Sequence, residues 1–217
     1  RGAILASPDS EMLHHGRDTY SYMWPRDGAM TVMALLLVGE YNISKHFFKF
    51  CNDVIEPDGY LMHKYRADRS LGSSWHPFVR DGVPILPIQE DETALVLVAL
   101  WEYYNKTRDI EFIEIHYNDV IKRMDFTDPT TSLPLPSYDL WEEKHGVSTF
   151  TSAATYAGLI AGAKFAKLFE KEDDERMFST CAEKMKSAIL EHLYDKDLGM
   201  FIKLLNTKNG IVIHDKT

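Results

Sequence analysis

Three stretches of the chain are apolar nearly all the way round a helix. They cover 27–38 (Ala29, Met30, Val32, Met33, Leu35, Leu36, Leu37), 93–104 (Ala94, Leu95, Val96, Leu97, Val98, Leu100, Trp101) and 151–169, where small residues dominate (Ala153, Ala154, Ala157, Gly158, Ala161, Gly162, Ala163). A helix that is apolar on every side is buried on every side, and small residues let neighbouring backbones approach. Three amphipathic stretches alternate with these: 43–55 (Phe47, Phe48, Cys51, Val54), 110–124 (Ile113, Tyr117, Val120, Met124) and 174–193 (Met177, Phe178, Cys181, Met185, Ile189, Leu193). Their apolar residues recur at spacings of three and four with charges opposite, which predicts helices with one face in solvent. The order buried, exposed, three times over, predicts an all-α fold with two concentric layers: a double-layered helical barrel or part of one. The main rival is a tetratricopeptide-type solenoid, but its repeats have a fixed period, whereas the units here differ in length. After the last helix, Met200, Phe201 and Ile202 and then Ile211, Val212 and Ile213 flank Asn209-Gly210, a strong hairpin signal.

The connections 56–90 and 125–150 carry Gly, Pro, Ser and aromatic residues without helical period. Structureless connections of that length are usually functional. Consecutive inner helices of a layered barrel run parallel, so their N-termini gather at one end. Three segments then converge there: 20–27, 88–92 and 138–143. Together they bring Trp, Tyr, Arg, Gln and several carboxylates to one pocket mouth. That composition suits a neutral polyol such as a sugar, with aromatic rings for its apolar face and planar bidentate groups for its hydroxyls.

Bulk composition narrows the classes. A chain of 217 residues with 45% hydrophobic content builds a sizeable core as one large or two small domains. The net charge is −9 and there is no basic block, which speaks against a nucleic-acid ligand. No apolar run reaches the roughly eighteen residues of a membrane helix. Cys51 and Cys181 both fall on apolar helix patterns, so buried free thiols are expected rather than a disulfide. The histidines show no zinc-type spacing, His14-His15 included, and no phosphate-cradling Gly-rich loop is present; no metal or cofactor is expected. The chain starts at Arg1-Gly2-Ala3 without a signal-peptide layout, and it is expected to be a fragment or a single domain of a longer protein. Its localisation, cytoplasmic or secreted, stays open.

The sharpest candidate chemistry is Glu142-Glu143, preceded by Tyr138-Asp139-Leu140-Trp141 and followed by Lys144-His145-Gly146. An acid catalyst must hold a proton at neutral pH, and an ionised neighbour disfavours ionisation of the first carboxyl. A tryptophan wall stacks against a pyranose face. On the residues alone, other roles compete. Arg26-Asp27 reads equally as a helix start with Asp27 as N-cap, Trp24 and Tyr20 as core aromatics, and Asp91 as a residue that caps or buttresses its helix. Gly146 reads as part of the turn into the third inner helix.

Three segments in order carry a resemblance to a known family. They are Tyr20, Tyr22 and Trp24 with Pro25-Arg26-Asp27-Gly28; Gln89, Asp91 and Ala94; and Tyr138-Asp139-Leu140-Trp141-Glu142-Glu143 with Gly146. This arrangement resembles the glucoamylase family of glycoside hydrolases, family 15, and Gly2-Ala3-Ile4-Leu5-Ala6-Ser7-Pro8 resembles the segment preceding the first motif. The resemblance implies an (α/α)₆ barrel, of which residues 1–217 would be the N-terminal half, with the remaining helices absent. It implies inverting, exo-acting release of glucose from the non-reducing ends of α-linked gluco-oligosaccharides or polysaccharides. Glu142 would then be the general acid, Glu143 would contact sugar hydroxyls, Arg26 and Asp27 would grip the terminal glucose, and Tyr20, Trp24 and Trp141 would line its subsite.

There are two departures from the family pattern. Fungal relatives carry a tryptophan where this chain has Ile85-Leu86-Pro87-Ile88, and Trp75 would replace it only with an inward loop. The family's catalytic base lies in the second half of the barrel, outside this chain. A trehalase, or a glucosidase acting on dextran or isomaltose, on the same barrel is the alternative activity. A non-catalytic carbohydrate-binding or helical interaction domain is the alternative of another class. Half a barrel is expected to leave apolar faces uncovered around 95–101 and 153–163, with self-association as the consequence.

Overall fold

The computed structural model of the protein describes residues 2–8, 20–73, 78–80, 82–117, 127–208 and 211–215. Among these, six helices follow the predicted order. α1 (Pro25–Leu37) begins two residues before its predicted start, because Pro25 occupies the first helical position, where no amide hydrogen is needed. Trp24 is its N-cap, in extended conformation and without a side-chain cap. Asp27 is thus inside the first turn, and the N-cap reading of Asp27 does not hold. α2 (Tyr41–Val54) follows a turn in which Gly39 has φ +83°.

α3 (Glu90–Thr107) opens with three consecutive carboxylates and closes at Arg108 in the left-handed region. α4 (Ile110–His116) is capped by Asp109, whose Oδ1 accepts the Phe112 amide at 3.2 Å. Its predicted continuation to 124 falls, after Tyr117, outside the described residues. α5 (Thr149–Leu168) is capped by Ser148 through the Thr151 amide at 3.0 Å, and α6 (Glu172–His192) follows it.

The helices pack as the patterning implies. α1 lies against α3 and α3 against α5, side by side, while α2 backs α1 and α3, α4 backs α3, and α6 backs α5. This is an arc of a two-layered helical barrel. The small residues of α5 do what their size permits. At Gly162 a Cβ would stand 3.3 Å from the Phe178 ring of α6, so the two helices meet there in close contact. Cys51 is buried and Cys181 half-buried, and both are free thiols.

One burial expectation is corrected. The stretch 95–101 of α3 is buried almost throughout, because α1, α4 and α5 surround it. The open apolar face belongs to α1 instead, where Met30 is 45% and Leu37 79% exposed, with Val38 beside them at 75%. On α5 the exposure is partial and confined to a stripe through Ala153, Ala157, Ile160 and Lys164.

The long connections are not structureless. β1 (Val79–Arg80) and β2 (Val83–Pro84) form a short antiparallel pair. β3 (Ser137–Tyr138) and β4 (His145–Ser148) form a hairpin whose second strand runs into α5. β5 (Tyr194–Asp195) pairs with β6 (Met200–Phe201), and β7 (Leu204–Lys208) pairs with β8 (Ile211–Asp215). The predicted hairpin is therefore shifted. Lys208 faces Ile211 and Asn206 faces Ile213, whereas Met200 and Phe201 turn back onto Tyr194 and Asp195. A two-residue link selects the strand immediately before it, and Met200 to Ile202 lie too far upstream; Asn209 and Gly210 themselves lie outside the described residues.

β7 also pairs with β4, giving one sheet in the order β3-β4-β7-β8. Gly146 belongs to this sheet rather than to a turn. A Cβ there would come within 2.6 Å of the Leu205 carbonyl oxygen and of the Leu204 side chain, so only glycine lets β7 approach. The C-terminal hairpin thereby braces the segment that carries Glu142.

The start of α3 makes a prediction about stability. Glu90 is 6% exposed, and burial, with a smaller contribution from neighbouring Asp91, pushes its carboxyl from the ordinary 4.5 up to about 8. Below pH 4.5 both folded and unfolded chains hold this proton, and burial exacts nothing. Between 4.5 and 8 only the unfolded chain releases it, so stability falls across that window and levels off above it. Glu90→Gln should raise the melting temperature at pH 8 and leave it nearly unchanged at pH 4, by calorimetry. An equal change at both pH values would refute the assignment.

Candidate active site

Arg26 is the centre of the site. It is 4% exposed, on the first turn of α1, and faces the first turn of α3. Its Nη1 donates to Asp91 Oδ2 at 2.9 Å and to Gln89 Oε1 at 3.2 Å, and lies 3.0 Å from Glu92 Oε1. Its backbone amide donates to Glu92 Oε2. Glu92 therefore bridges the α1 N-terminus and the guanidinium, where helix dipole and cation both favour an anion. Burial works against the charge on Arg26, but Glu92, Asp91 and Asp27 outweigh it, so its pKa lies above the ordinary guanidinium value. Burial pushes the carboxyl of Glu92 well up and Arg26 opposes that shift.

Asp91 is fully buried and its second oxygen accepts from Thr151 Oγ1 at 3.1 Å. It buttresses the first turns of three inner helices. Asp27, by contrast, keeps its side chain 54% exposed, 3.4 Å from Arg26 Nη2.

The acid segment is the link of the β3–β4 hairpin. Asp139 organises it. Its Oδ1 accepts the amides of Glu143 and Lys144 at 2.8 and 3.1 Å, and its carbonyl accepts the amide of Glu142 at 2.9 Å. Glu142 takes a left-handed conformation, φ +56°, which costs a non-glycine residue about 1–2 kcal/mol. The consequence is that the two glutamates part company. Glu142 turns inward and is 5% exposed; Glu143 turns outward, its side chain 65% exposed and 3.9 Å from Lys203 Nζ.

Residues of the first motif stand against Glu142. Oε1 accepts from the Trp24 indole at 3.4 Å, and Oε2 lies 3.8 Å from His63 Nε2. The Trp24 ring lies tilted against Tyr20 with centroids 6.0 Å apart and meets Tyr22 edge-on at 5.9 Å. Behind it, the ammonium of buried Lys64 lies 5.2 Å from the Trp24 ring and 4.9 Å from the Tyr22 ring. His63 and Lys64 are not among the residues that the sequence pattern singles out. The available signal was a pair of basic residues inside the aromatic and aliphatic run from Tyr60 to Tyr65, which is buried throughout.

One pocket of about 140 Å³ collects Tyr20, Trp24, Arg26, Asp27, Trp141 and Glu142, with Ala6 and Leu140 completing its walls. Trp24 forms its floor at 4% exposure, while Tyr20 and Trp141 stand at the rim, 62% and 72% exposed. Of the candidate site residues, Glu143 alone does not line it. Trp75 and His14-His15 lie outside the described residues. A larger cleft of about 410 Å³ lies beside the start of α3 and is walled mainly by carbon, including Phe78, Ile85, Leu86 and Leu135. It holds Glu90 but none of the candidate acid or grip residues.

One pocket thus holds a buried carboxyl, a guanidinium-carboxylate pair and aromatic side chains. The model of the family described as glycosyl hydrolases family 15 matches residues 1–214. An uncharacterized glycosyl hydrolase of Methanocaldococcus jannaschii is 30% identical over 94% of this chain and 30% of its own length. A trehalase of Sulfolobus acidocaldarius is 25% identical over 76% of this chain and 32% of its own. The solved glucoamylase of Saccharomycopsis fibuligera superposes with a TM-score of 0.68 at 19% identity, covering 94% of this chain and 46% of that one, which speaks for the fold alone. The chain spans less than half the length of these relatives. On the family match and the shared fold, the chain belongs to glycoside hydrolase family 15, whose (α/α)₆ barrel its helices follow.

Proposed function

We propose that this chain is the acid-bearing half of an inverting exo-glycosidase that releases glucose from the non-reducing ends of α-glucosides. The observation that carries the reading is the single pocket in which Glu142, Arg26 and Asp27 meet under an aromatic wall. In this reading the exposed carboxylate of Asp27 and the outward edge of Arg26 hold the hydroxyls of the terminal sugar, a positioning role. Trp24 and the rim aromatics cover its apolar face. Glu142 protonates the departing glycosidic oxygen. Inversion needs a second carboxylate on the opposite face, about 6.5–9.5 Å from the first, with room for water between; the reading assigns that base to the part of the protein outside this chain.

The trehalase relative favours a second reading within the class, cleavage of an α,α-linked disaccharide in the same pocket. A panel of maltose, isomaltose and trehalose offered to the whole protein, with glucose release as readout, separates the two. Binding of a sugar without cleavage of any would instead support a non-catalytic carbohydrate-binding domain.

Glu142→Gln in the whole protein should cut kcat by at least about 10²-fold while sugar affinity stays within a few-fold. Near-normal turnover would remove Glu142 from the chemistry. Arg26→Lys keeps the charge and loses the planar fork. Its kcat/KM should fall at least about tenfold, or roughly 1.4 kcal/mol of transition-state stabilisation, measured below the melting temperature of the variant. Normal kinetics with lowered thermal stability would make Arg26 a structural residue only. The 217-residue chain made alone should release no glucose, and its exposed α1 face around Met30 and Leu37 should make it self-associate on a sizing column. A monomer with robust turnover would contradict both statements.

A further inference from the structure

Gln89 is 1% exposed and sits at the N-cap of α3. Its side chain joins the two halves of the pocket. Oε1 accepts from Arg26 Nη1 at 3.2 Å, while Nε2 donates to the carbonyls of Asp139 at 2.6 Å and Tyr138 at 3.2 Å. An amide satisfies this environment without a change of protonation. A cation stands on one side and two carbonyl oxygens on the other, so one end of the residue must accept and the other must donate. The Asp139 carbonyl also accepts the amide of Glu142, whose left-handed conformation depends on the same turn. Gln89 is therefore one shared acceptor away from the backbone of the acid, and directly bonded to the grip.

We propose that Gln89 is a positioning residue that fixes Glu142 relative to Arg26, so that one amide holds acid and sugar grip at a set separation. This rests on the reading of Glu142 as the acid. Displacement of an acid by about 1 Å is enough to cost on the order of 10²-fold in rate, and a hairpin link with a left-handed residue has no regular ladder of its own to prevent it. Asp139 supplies local order through hydrogen bonds within the link, and its second oxygen faces Lys203 rather than α3. The tie between that link and the helix bearing the grip partners runs through Gln89.

The test is Gln89→Glu in the whole protein. The introduced carboxyl still accepts from Arg26. Ionised, it cannot donate, and it faces two carbonyl oxygens. Protonated, its hydroxyl can donate to the Asp139 carbonyl again. The charged groups around it are Arg26 from α1, Asp91 and Glu92 from α3, and Asp139 and Glu142 from the hairpin, with Lys203 3.6 Å from the Asp139 carboxylate. Arg26 favours its ionised form and the carboxylates favour its proton.

At pH 7 the expected result is a fall in kcat of at least about tenfold with KM changed only a few-fold. The ratio of variant to wild-type kcat should rise as pH is lowered from 7 to about 5, with both proteins shown to be folded by circular dichroism. Gln89→Met, which can neither accept nor donate, should lower kcat by a factor that does not change with pH. It carries the test if the glutamate variant does not fold. Wild-type kcat in either variant, or a loss confined to KM, overturns the proposal.

A readout independent of turnover separates this inference from the functional reading. The amide protons of Glu142, Glu143 and Lys144 should exchange several-fold faster in the variants than in the wild type at the same pH. Unchanged exchange overturns the positioning role, whether or not the wild type cleaves any glucoside. Absence of cleavage with accelerated exchange sinks the catalytic reading alone.

Discussion

A guanidinium buried among carboxylates is what the remainder of this structure is arranged around. Arg26 at 4% exposure would be untenable in an apolar core, since removing one charge from water costs several kcal/mol. It is tolerated because Asp91, Glu92 and Gln89 meet it from the first turn of α3, and because the α1 amides supply further positive potential to Glu92. The cluster is costly to break and weakly stabilising when intact, so its value lies in geometry. It requires the N-termini of α1 and α3 to be adjacent, and Thr151 extends the requirement to α5 through Asp91. Once these helix starts are gathered at one end, the segments that precede them have nowhere to go but the pocket rim.

How much of this could be read from the residues depends on the range of the interaction. Helix positions and the inner-outer alternation were legible because they follow from spacings of three and four within a dozen residues. The convergence of three segments followed from the parallel course of inner helices, and it places Arg26, Trp24 and Glu142 together. What was not legible is long-range or backbone-borne. Local sequence reads Gly146 as a turn residue, whereas the Leu205 carbonyl that excludes a Cβ there lies nearly sixty residues away. The strand partner of β8 follows from link length, not from the apolar character of Met200 and Phe201. Patterning reports how apolar a helix is, not how many neighbours it has; α3 has neighbours on all sides, and α1 does not.

The two adjacent glutamates show the same limit in sharper form. Sequence proximity suggested that one carboxylate would hold the proton on the other by repulsion. In the structure φ +56° at Glu142 sends the side chains to opposite sides, so Glu143 faces Lys203 while Glu142 faces Trp24 and His63. The side chain of Glu142 is thus surrounded by the 60–65 segment and the indole, not by its sequence neighbour. That segment packs beneath the pocket through backbone pairing of Tyr65 with Met23, which makes it part of the same unit as the grip.

The same geometry decides which carboxylates are free to do chemistry with water. Asp91 and Glu92 are fully buried and held by Arg26, Thr151 and the α1 amide, away from the pocket lining. Glu90 opens onto a different cleft and Glu143 points to solvent. Asp27 shares the pocket with Glu142 but leans on the guanidinium that it helps to form into a grip. Among the described residues, then, the pocket is lined by two carboxyls, Glu142 buried and Asp27 exposed. The exposed apolar residues Met30 and Leu37 lie further along the helix that begins with Arg26 and Asp27. In the reading proposed above, the opposing base comes from elsewhere in the protein.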